Sequence, residues 1–304
     1  MNITSTLVKN GKVKHIGSIP VSDIIGIYKS DFDMDVSRFF KEKKDVDIYQ
    51  CEESGYQFYF PSTLAGDDFY YREMGKFSWY YNPKRWEHDF SLSILKKSDN
   101  ILEVGSGSGF FLKRLQENGF KGIGLELNKD EIKKGKEKGL TILDELIEAH
   151  AEKHSGEYDV VCSYQVLEHV YNVQSFLEGN VKCLKKGGRL IIGIPNNDSY
   201  LSYNILNSRV LNYPPHHVGL WRPSSIKSLE KYFPLKLTSL NLENVLDSNS
   251  LDIYLWNLLY KKFKTNLVAR IIWKLKLREP LIKLLHNHFL KVNGPVMVAV
   301  FEKI

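Results

Sequence analysis

Short apolar runs alternate with amphipathic segments along most of the chain, which is typical of a domain in which strands and helices alternate. Buried strands are predicted, in chain order, at 101–104, 122–125, 157–163, 189–195, 235–242 and 295–301. Helical spacing at 110–115 and at 128–138 predicts helices that connect the first strands. The pattern therefore favours an α/β fold with a doubly wound, largely parallel sheet.

A glycine-rich turn joins the first predicted strand to the helix after it. Glu103 is followed by Gly105, Gly107 and Gly109, and Phe110 opens the helix. Glycines permit positive φ angles and let a ligand approach the main chain, whereas a turn without a ligand would gain nothing from three of them. A dinucleotide fingerprint needs a glycine at 110, so the dehydrogenase alternative is weakened. An acid just before the glycines suits a ligand with a cationic head, such as S-adenosylmethionine.

Later motifs follow in the order that such a ligand site requires. Glu126 ends the second strand, at the position where a doubly wound sheet hydrogen-bonds a ribose diol. Residues 164–170 follow the predicted strand at 157–163 with the sequence Y-Q-V-L-E-H-V, and 184–188 form an L-K-K-G-G turn before the strand at 189–195.

These motifs together resemble the class I S-adenosylmethionine-dependent methyltransferases over residues 85–235, with Lys186 where that family usually has proline. The resemblance implies an enzyme with a Rossmann-like sheet of seven strands, largely parallel with an antiparallel last strand, and S-adenosylmethionine as cofactor. The cofactor contacts that it implies are Glu103, Gly105, Ser106, Gly107, Gly109, Phe110, Glu126, Leu127, Asp144, Tyr164, Gln165 and Tyr81.

The first 85 residues are predicted to form an aromatic-rich module. Residues 49–61 resemble the second knuckle of a zinc ribbon that precedes some sugar and small-molecule methyltransferases, but Ser54 stands where its second cysteine would be. Structural zinc needs four ligands, and Cys51 with His15 supplies too few. We therefore expect a metal-free relic and no metal site in the chain.

A cluster of aromatic residues at 77–88 precedes the first helix of the predicted methyltransferase domain. Tyr80, Tyr81 and Trp86 are the side chains expected to cover the cofactor, since aromatic rings exclude water and attract a sulfonium cation. Packing between the two parts of the chain explains the same residues equally well.

A loop at 211–221 holds two prolines and the pair His216 and His217. It resembles the P-P-H-H loop of sugar C-methyltransferases and their relatives, in which a histidine at the position of His217 acts as base or substrate ligand. Histidine suits proton removal near neutral pH. His216 and His169 are the next candidates for catalysis, and the alternative is that the paired histidines only cap the loop.

Residues 251–291 interrupt the last predicted strands with a basic amphipathic insertion. They hold nine Lys or Arg and two acidic residues, and helical apolar spacing predicts two helices with a break at Pro280. The alternatives are a solvated face of packed helices, a lid or homodimer face, a peripheral contact with an anionic membrane, and a nucleic-acid surface.

Composition is compatible with this assignment. The chain of 304 residues is 43% apolar and 26% charged, and its three cysteines form no disulfide framework. No apolar run reaches membrane-spanning length and no signal peptide opens the chain, so a cytoplasmic protein is expected, with a membrane-peripheral one as the alternative. The predicted divisions are the module at 1–85, the methyltransferase domain at 86–250, the insertion at 251–291 and the last strand at 292–304.

The expected function is methyl transfer from S-adenosylmethionine to a small molecule. The resemblance to relatives with this arrangement implies that the leading candidate acceptor is a sugar or sugar nucleotide of surface-polysaccharide biosynthesis. The alternatives are an RNA or a quinone/lipid-type methyltransferase, or a non-catalytic protein that binds S-adenosylmethionine. Nucleic acid is not expected, because the basic residues are concentrated in the insertion.

Overall fold

The computed structural model describes residues 3–61, 64–77, 80, 85–199, 210–248 and 250–304. Its N-terminal part is a sheet of four strands in the order β1-β2-β3-β9, covered by two helices. These elements are β1 (Val13–Pro20), α1 (Val21–Phe32), β2 (Asp45–Cys51), β3 (Gln57–Phe60) and α2 (Asp68–Met74), with β9 (Gly219–Leu220) contributed from much later in the chain. The N-terminal sheet is thus completed by a strand from within the range predicted as the methyltransferase domain.

The second sheet has seven strands in the order β10-β11-β8-β7-β4-β5-β6. Its strands are β4 (Asn100–Val104), β5 (Lys121–Leu125), β6 (Ile142–Leu143), β7 (Tyr158–Tyr164), β8 (Leu184–Pro195), β10 (Leu235–Asn244) and β11 (Asn293–Lys303). The five strands from β8 to β6 are parallel, whereas β11 is antiparallel to both of its neighbours. The predicted α/β class, with seven strands and an antiparallel last strand, is confirmed.

Helices cover both faces of this sheet, which is why its central strands are apolar almost throughout. The helices are α3 (Trp86–Ile94), α4 (Phe110–Glu117), α5 (Lys129–Glu137), α6 (Ile147–Lys153), α7 (Val173–Cys183) and the short α8 (Pro223–Lys227). Alternate residues of one strand enter different cores: Ile101 packs with Phe111 of α4, and Leu102 packs with Leu177 of α7. The carboxyl ends of the parallel strands are therefore held rigidly from both sides.

The N-terminal sheet shares apolar packing with the second sheet. The rings of Tyr56 and Trp221 lie 4.4 Å apart, and Tyr56 and Phe58 are buried while Phe60 is half-buried. Tyr56 and Phe58 of the predicted relic thus pack against the methyltransferase domain, whereas the ring of Phe60 lies against Tyr49 of the N-terminal sheet. His15 Nε2 lies 3.1 Å from Asp47 Oδ1, and His15 is exposed while Cys51 is buried.

The insertion is four short helices, α9 (Leu251–Phe263), α10 (Leu267–Lys274), α11 (Arg278–Leu284) and α12 (His286–Phe289). The break predicted at Pro280 is wrong, because this proline lies in the first turn of α11, where a missing N–H removes no helical hydrogen bond. The chain breaks instead at Lys264 and Lys276, which adopt positive φ angles of 55° and 56°. None of the described helices is long and apolar enough to cross a membrane.

Candidate active site

One large cavity, of about 1260 Å³, opens at the carboxyl ends of β4, β5 and β7. In doubly wound sheets the carboxyl ends of the strands form the crevice in which ligands bind. The cavity is lined by the glycine loop after β4, the 3-10 turn after β7 (Leu167–His169) and the loop that holds His216 and His217. Most of the predicted cofactor residues and the three predicted histidines therefore line a common cavity.

The glycine loop has the backbone that its sequence predicts. Gly105, Gly107 and Gly109 have φ angles of 74°, 52° and 78°. A Cβ atom at Gly107 would meet no atom within 4 Å, so this glycine borders open cavity space. A Cβ at Gly109 would instead collide with Leu140, and Gly109 does not line the cavity. Gly109 therefore allows close packing of helix α4, whereas Gly107 leaves room for a ligand.

Glu103, at the end of β4, is a buried acidic residue whose carboxylate a cation would stabilise. Only 4% of the residue is exposed, and its Oε2 atom has no hydrogen-bond partner among the described residues. Burial, together with the nearby Glu126 carboxylate, raises the pKa of Glu103 well above its usual value. Because a cationic ligand group would satisfy the orphaned oxygen, the site fits the ammonium of S-adenosylmethionine.

Glu126 is held in place by the loop that it faces. Its Oε2 accepts a hydrogen bond from the Gly107 N–H at 2.7 Å, and its Oε1 accepts from the N–H groups of Leu127 and Asn128 at 2.9 Å. A carboxylate has about four acceptor positions, so after these three hydrogen bonds about one remains for a ribose hydroxyl. The side chain lines the cavity beside Gly107, as a ribose contact would require.

The other predicted cofactor residues divide into three groups. Those that line the cavity are Gly105, Ser106, Phe110, Leu127, Tyr164 and Gln165. Asp144 does not line it, although the next residue, Glu145, does. Tyr81 lies outside the described residues, while Tyr80 and Trp86 from the same aromatic cluster line the cavity.

Three histidines that line the cavity form a compact cluster. The ring centroids of His169, His216 and His217 lie 4.6 to 5.0 Å apart. Burial lowers the pKa of His169 to about 4 and holds those of His216 and His217 well below the usual value. All three rings are therefore neutral near pH 7, and each keeps one nitrogen lone pair.

Hydrogen bonds define which nitrogen of His217 is free. Asn212 Nδ2 donates to Asn197 Oδ1 at 2.8 Å, which turns Asn212 Oδ1 towards His217 Nδ1 at 3.2 Å. Nδ1 therefore carries the proton and donates, and Nε2 holds the lone pair. In this assignment from the hydrogen-bond network, Asn212 orients His217 as a partner group orients a catalytic base.

The three imidazoles also form the one group of metal-ligand side chains found among the described residues. Their ligand nitrogens all lie within 4.8 Å of one another. His169 Nδ1 lies 2.6 Å from the backbone oxygen of His216 and donates to it, so Nε2 is the nitrogen that His169 could offer. The sequence predicts no metal in this protein, and that expectation stays a prediction.

The N-terminal part of the chain holds the histidine loop in place. Tyr28 Oη donates to the backbone oxygen of Tyr213 at 3.0 Å, and Tyr59 Oη donates to that of Asn212 at 2.9 Å. The Tyr59 N–H also donates to the Val218 oxygen at 2.9 Å. The sequence analysis missed these positioning residues, because no motif links tyrosines to a loop so far along the chain.

Besides Glu103 and Glu126, eight acidic residues that the sequence does not single out line the cavity. Ten Asp or Glu line it, and Arg85 is the one Lys or Arg among its described lining residues. Burial raises the pKa of Glu168 and of Glu243 to about 8. Only Glu168 could have been found, since it is the acid of the V-L-E-H segment. The cavity therefore favours cationic or neutral ligands over anionic ones.

Comparison with known proteins identifies the class that this fold and site define. A family model described as "Methyltransferase domain" matches residues 78–240, more than half of the chain. The chain belongs to this family. The predicted assignment to the S-adenosylmethionine-dependent methyltransferases, and with it the cofactor, is confirmed.

Two curated relatives are named ubiquinone biosynthesis O-methyltransferase. The protein from Pectobacterium atrosepticum is 32% identical over 105 residues, 33% of this chain and 44% of the relative. That from Vibrio cholerae is 28% identical over 148 residues, 45% and 60% of the two chains. The chain thus spans about half the length of the curated relatives it matches. The PH0226 protein from Pyrococcus horikoshii has the same fold, with a TM-score of 0.50, 14% identity, and coverage of 79% of this chain and 100% of that one.

Proposed function

We propose that this protein transfers the methyl group of S-adenosylmethionine to a hydroxyl group of a small, uncharged acceptor, with His217 as the proton acceptor. The proposal rests on one observation: His217, a neutral imidazole oriented by Asn212, lines the same cavity as Glu103, Gly107 and Glu126. When bound, S-adenosylmethionine supplies an activated methyl group on a sulfonium.

The residues of this chain supply position and proton transfer. Glu103 holds the cationic head, Glu126 holds the ribose, and Gly107 leaves space for the ligand beside the main chain. His217 Nε2 takes the proton of the acceptor hydroxyl as its oxygen becomes the nucleophile, and Asn212 stabilises the protonated ring through Nδ1. A base positioned in this way contributes about 10²- to 10⁴-fold to a rate.

The charge of the cavity bears on the expected sugar acceptor. A nucleotide sugar carries a diphosphate. The acidic residues of the lining outnumber its one described Lys or Arg, Arg85, even though pKa values of about 8 leave Glu168 and Glu243 largely uncharged near pH 7. A sugar that presents a neutral hydroxyl end to the cavity is compatible with both this charge and the resemblance of the histidine loop. We therefore keep a glycan-related acceptor in surface-polysaccharide biosynthesis as the first candidate, without its phosphates inside the cavity.

A quinone-type phenol is the second candidate acceptor. Two relatives are named for O-methylation in ubiquinone biosynthesis, and a phenol is a neutral hydroxyl donor that suits an acidic, aromatic-lined cavity. The aromatic rings of Tyr80 and Trp86 also line it. A phenol loses its proton more readily than a sugar hydroxyl, so it would depend less on His217.

A competition assay separates the two acceptor classes. The purified protein is incubated with S-adenosylmethionine and equimolar panels of neutral sugars, nucleotide sugars and polyhydroxylated phenols, and products heavier by one methyl group are identified by mass spectrometry. Methylation of a neutral sugar or a phenol is expected. Methylation of nucleotide sugars alone would contradict the charge argument, and methylation of none, with cofactor binding intact, would favour a non-catalytic binding protein.

A further inference from the structure

The insertion α9–α12 concentrates the positive charge of this protein. Residues 251–291 hold nine Lys or Arg and two acidic residues, a net charge of +7, whereas the whole chain has +6. The rest of the chain is therefore close to neutral. A field concentrated on one small unit attracts anionic surfaces.

Exposed apolar side chains lie on the same helices. Of the thirteen large hydrophobic side chains described as exposed, eight belong to the insertion. Along α10 and its C-cap, Leu267, Ile271 and Leu275 follow one another at helical spacing and are 60%, 44% and 60% exposed. Only Ala269 of this helix is buried. Helix α10 thus turns an apolar stripe towards solvent.

The insertion is a folded unit despite this exposure. Leu255, Leu259 and Phe289 are buried in a small core of its own. Trp256 Nε1 donates to Asn266 Oδ1 at 3.0 Å, which ties α9 to the start of α10. Packing within the insertion therefore fixes α10 with its apolar stripe exposed to solvent.

We propose that helices α9–α12 form a docking surface for a bilayer rich in anionic lipid. Arg270, Lys274 and Lys276 flank the exposed stripe, an arrangement typical of helices that lie in the headgroup region with aliphatic side chains below and cations at the phosphates. A second copy of the chain would bring two strongly positive surfaces together. Nucleic acid would match the charge but would leave the exposed leucines without partners.

The docking surface adjoins the cavity. Asp247, Ser248 and Ser250 line the cavity, and α9 begins at the next residue, Leu251. The inference does not depend on the proposed activity, because lipid binding is measured without turnover.

Vesicle flotation with the full chain tests the proposal. Vesicles of phosphatidylcholine alone are compared with vesicles of equal parts phosphatidylcholine and phosphatidylglycerol at low salt. The protein is expected to float with the anionic vesicles and not with the neutral ones. Lys274→Glu with Lys276→Glu is expected to weaken this binding at least about 10-fold, and Leu267→Ser with Leu275→Ser to weaken it comparably.

Matched variants assign the effect to this surface. Lys41→Glu with Lys43→Glu makes the same charge change at exposed lysines of the N-terminal part, and Ile304→Ser removes an apolar side chain that is 64% exposed. Both are expected to float like the wild type. If a leucine variant fails to fold, the lysine pair decides. Failure of the wild type to float, equal losses in the controls, or a dimer that dissociates on Leu267→Ser with Leu275→Ser would overturn the proposal.

Discussion

The two sides of the cavity are built in different ways. On the proposed cofactor side, Glu103, Gly107 and Glu126 belong to one unit of strand, turn, helix and strand, from β4 to the end of β5. The hydrogen bond that joins Gly107 to Glu126 spans 19 residues. On the acceptor side, His169 and His216 meet across 47 residues, and the tyrosine that anchors the histidine loop lies 185 residues from it. The proposed cofactor contacts thus depend on local sequence, whereas the proposed acceptor side depends on long-range packing.

Gly107→Val should produce the largest loss, and it should be confined to the cofactor side. The branched side chain would fill the open space beside the loop and strain a positive φ, so binding of S-adenosylmethionine should be abolished with the fold kept. Titration calorimetry measures this. Gly156→Val is the control, since Gly156 has a φ of 70°, open space around its Cβ position and no place in the cavity lining. Equal loss in both variants would point to strain rather than to the ligand, and tighter binding of NAD than of S-adenosylmethionine by the wild type would overturn the cofactor assignment.

His217→Ala should break the acceptor side alone. Turnover is expected to fall by about 10²- to 10⁴-fold while cofactor affinity stays nearly unchanged, because a positioned base acts on the acceptor proton. Steady-state rates and calorimetry separate the two quantities. His216→Ala should be milder, and Asn212→Ala should lower turnover through the orientation of His217. Wild-type turnover in His217→Ala would move the search for a base to His169 and then to Tyr80.

Ionisation of Glu103 should make the affinity for S-adenosylmethionine depend on pH, which would distinguish the cofactor side of the cavity from the acceptor side. Burial raises the pKa of the free Glu103 carboxyl, and a cationic ligand favours its ionised form. Binding should therefore release a proton, and affinity should rise with pH until the raised pKa is passed. Calorimetry in two buffers of different ionisation enthalpy counts the protons. Glu103→Gln should bind about 10- to 100-fold more weakly and without proton release; unchanged proton release in this variant would assign it to another group.

The smallest expected effect concerns metal. With Ser54 in place of a cysteine ligand, the N-terminal sheet should hold no stoichiometric zinc, and a chelator should not change the melting temperature. Elemental analysis of the wild type, Cys51→Ser and His217→Ala gives the answer. One zinc per chain that disappears in Cys51→Ser would restore the ribbon, whereas an ion lost only in His217→Ala would belong to the histidine cluster.

Prediction from sequence succeeded where the contacts are local. The strand, turn and helix around Gly107 follow from spacing that a single segment of chain carries, and the place of Glu126 directly after β5 follows from the next apolar run. The cofactor roles of these residues stay predictions. His217 was selected through a resemblance, but its partner Asn212 and the anchoring Tyr28 and Tyr59 were not. A tyrosine in an aromatic-rich segment looks like core, and only the folded chain brings its hydroxyl to a loop carbonyl.

The same limit explains the error at Pro280. A proline signals that a helix cannot continue through it, yet the residue is tolerated in a first helical turn, so sequence alone does not say on which side of it the helix begins. The actual breaks at Lys264 and Lys276 depend on positive φ angles at residues that carry no such preference.

Strand β9 has a consequence for the transplantation of substrate specificity between relatives. It begins at Gly219, two residues after His217, and pairs with β3 through Phe58 and Gln57. The histidine loop therefore cannot be exchanged between relatives independently of the N-terminal sheet. In a chimera that receives only residues 210–221 from a relative, the new β9 would not match the edge of β3. A chimera that receives the N-terminal sheet together with this loop would keep their pairing and should transfer the acceptor preference.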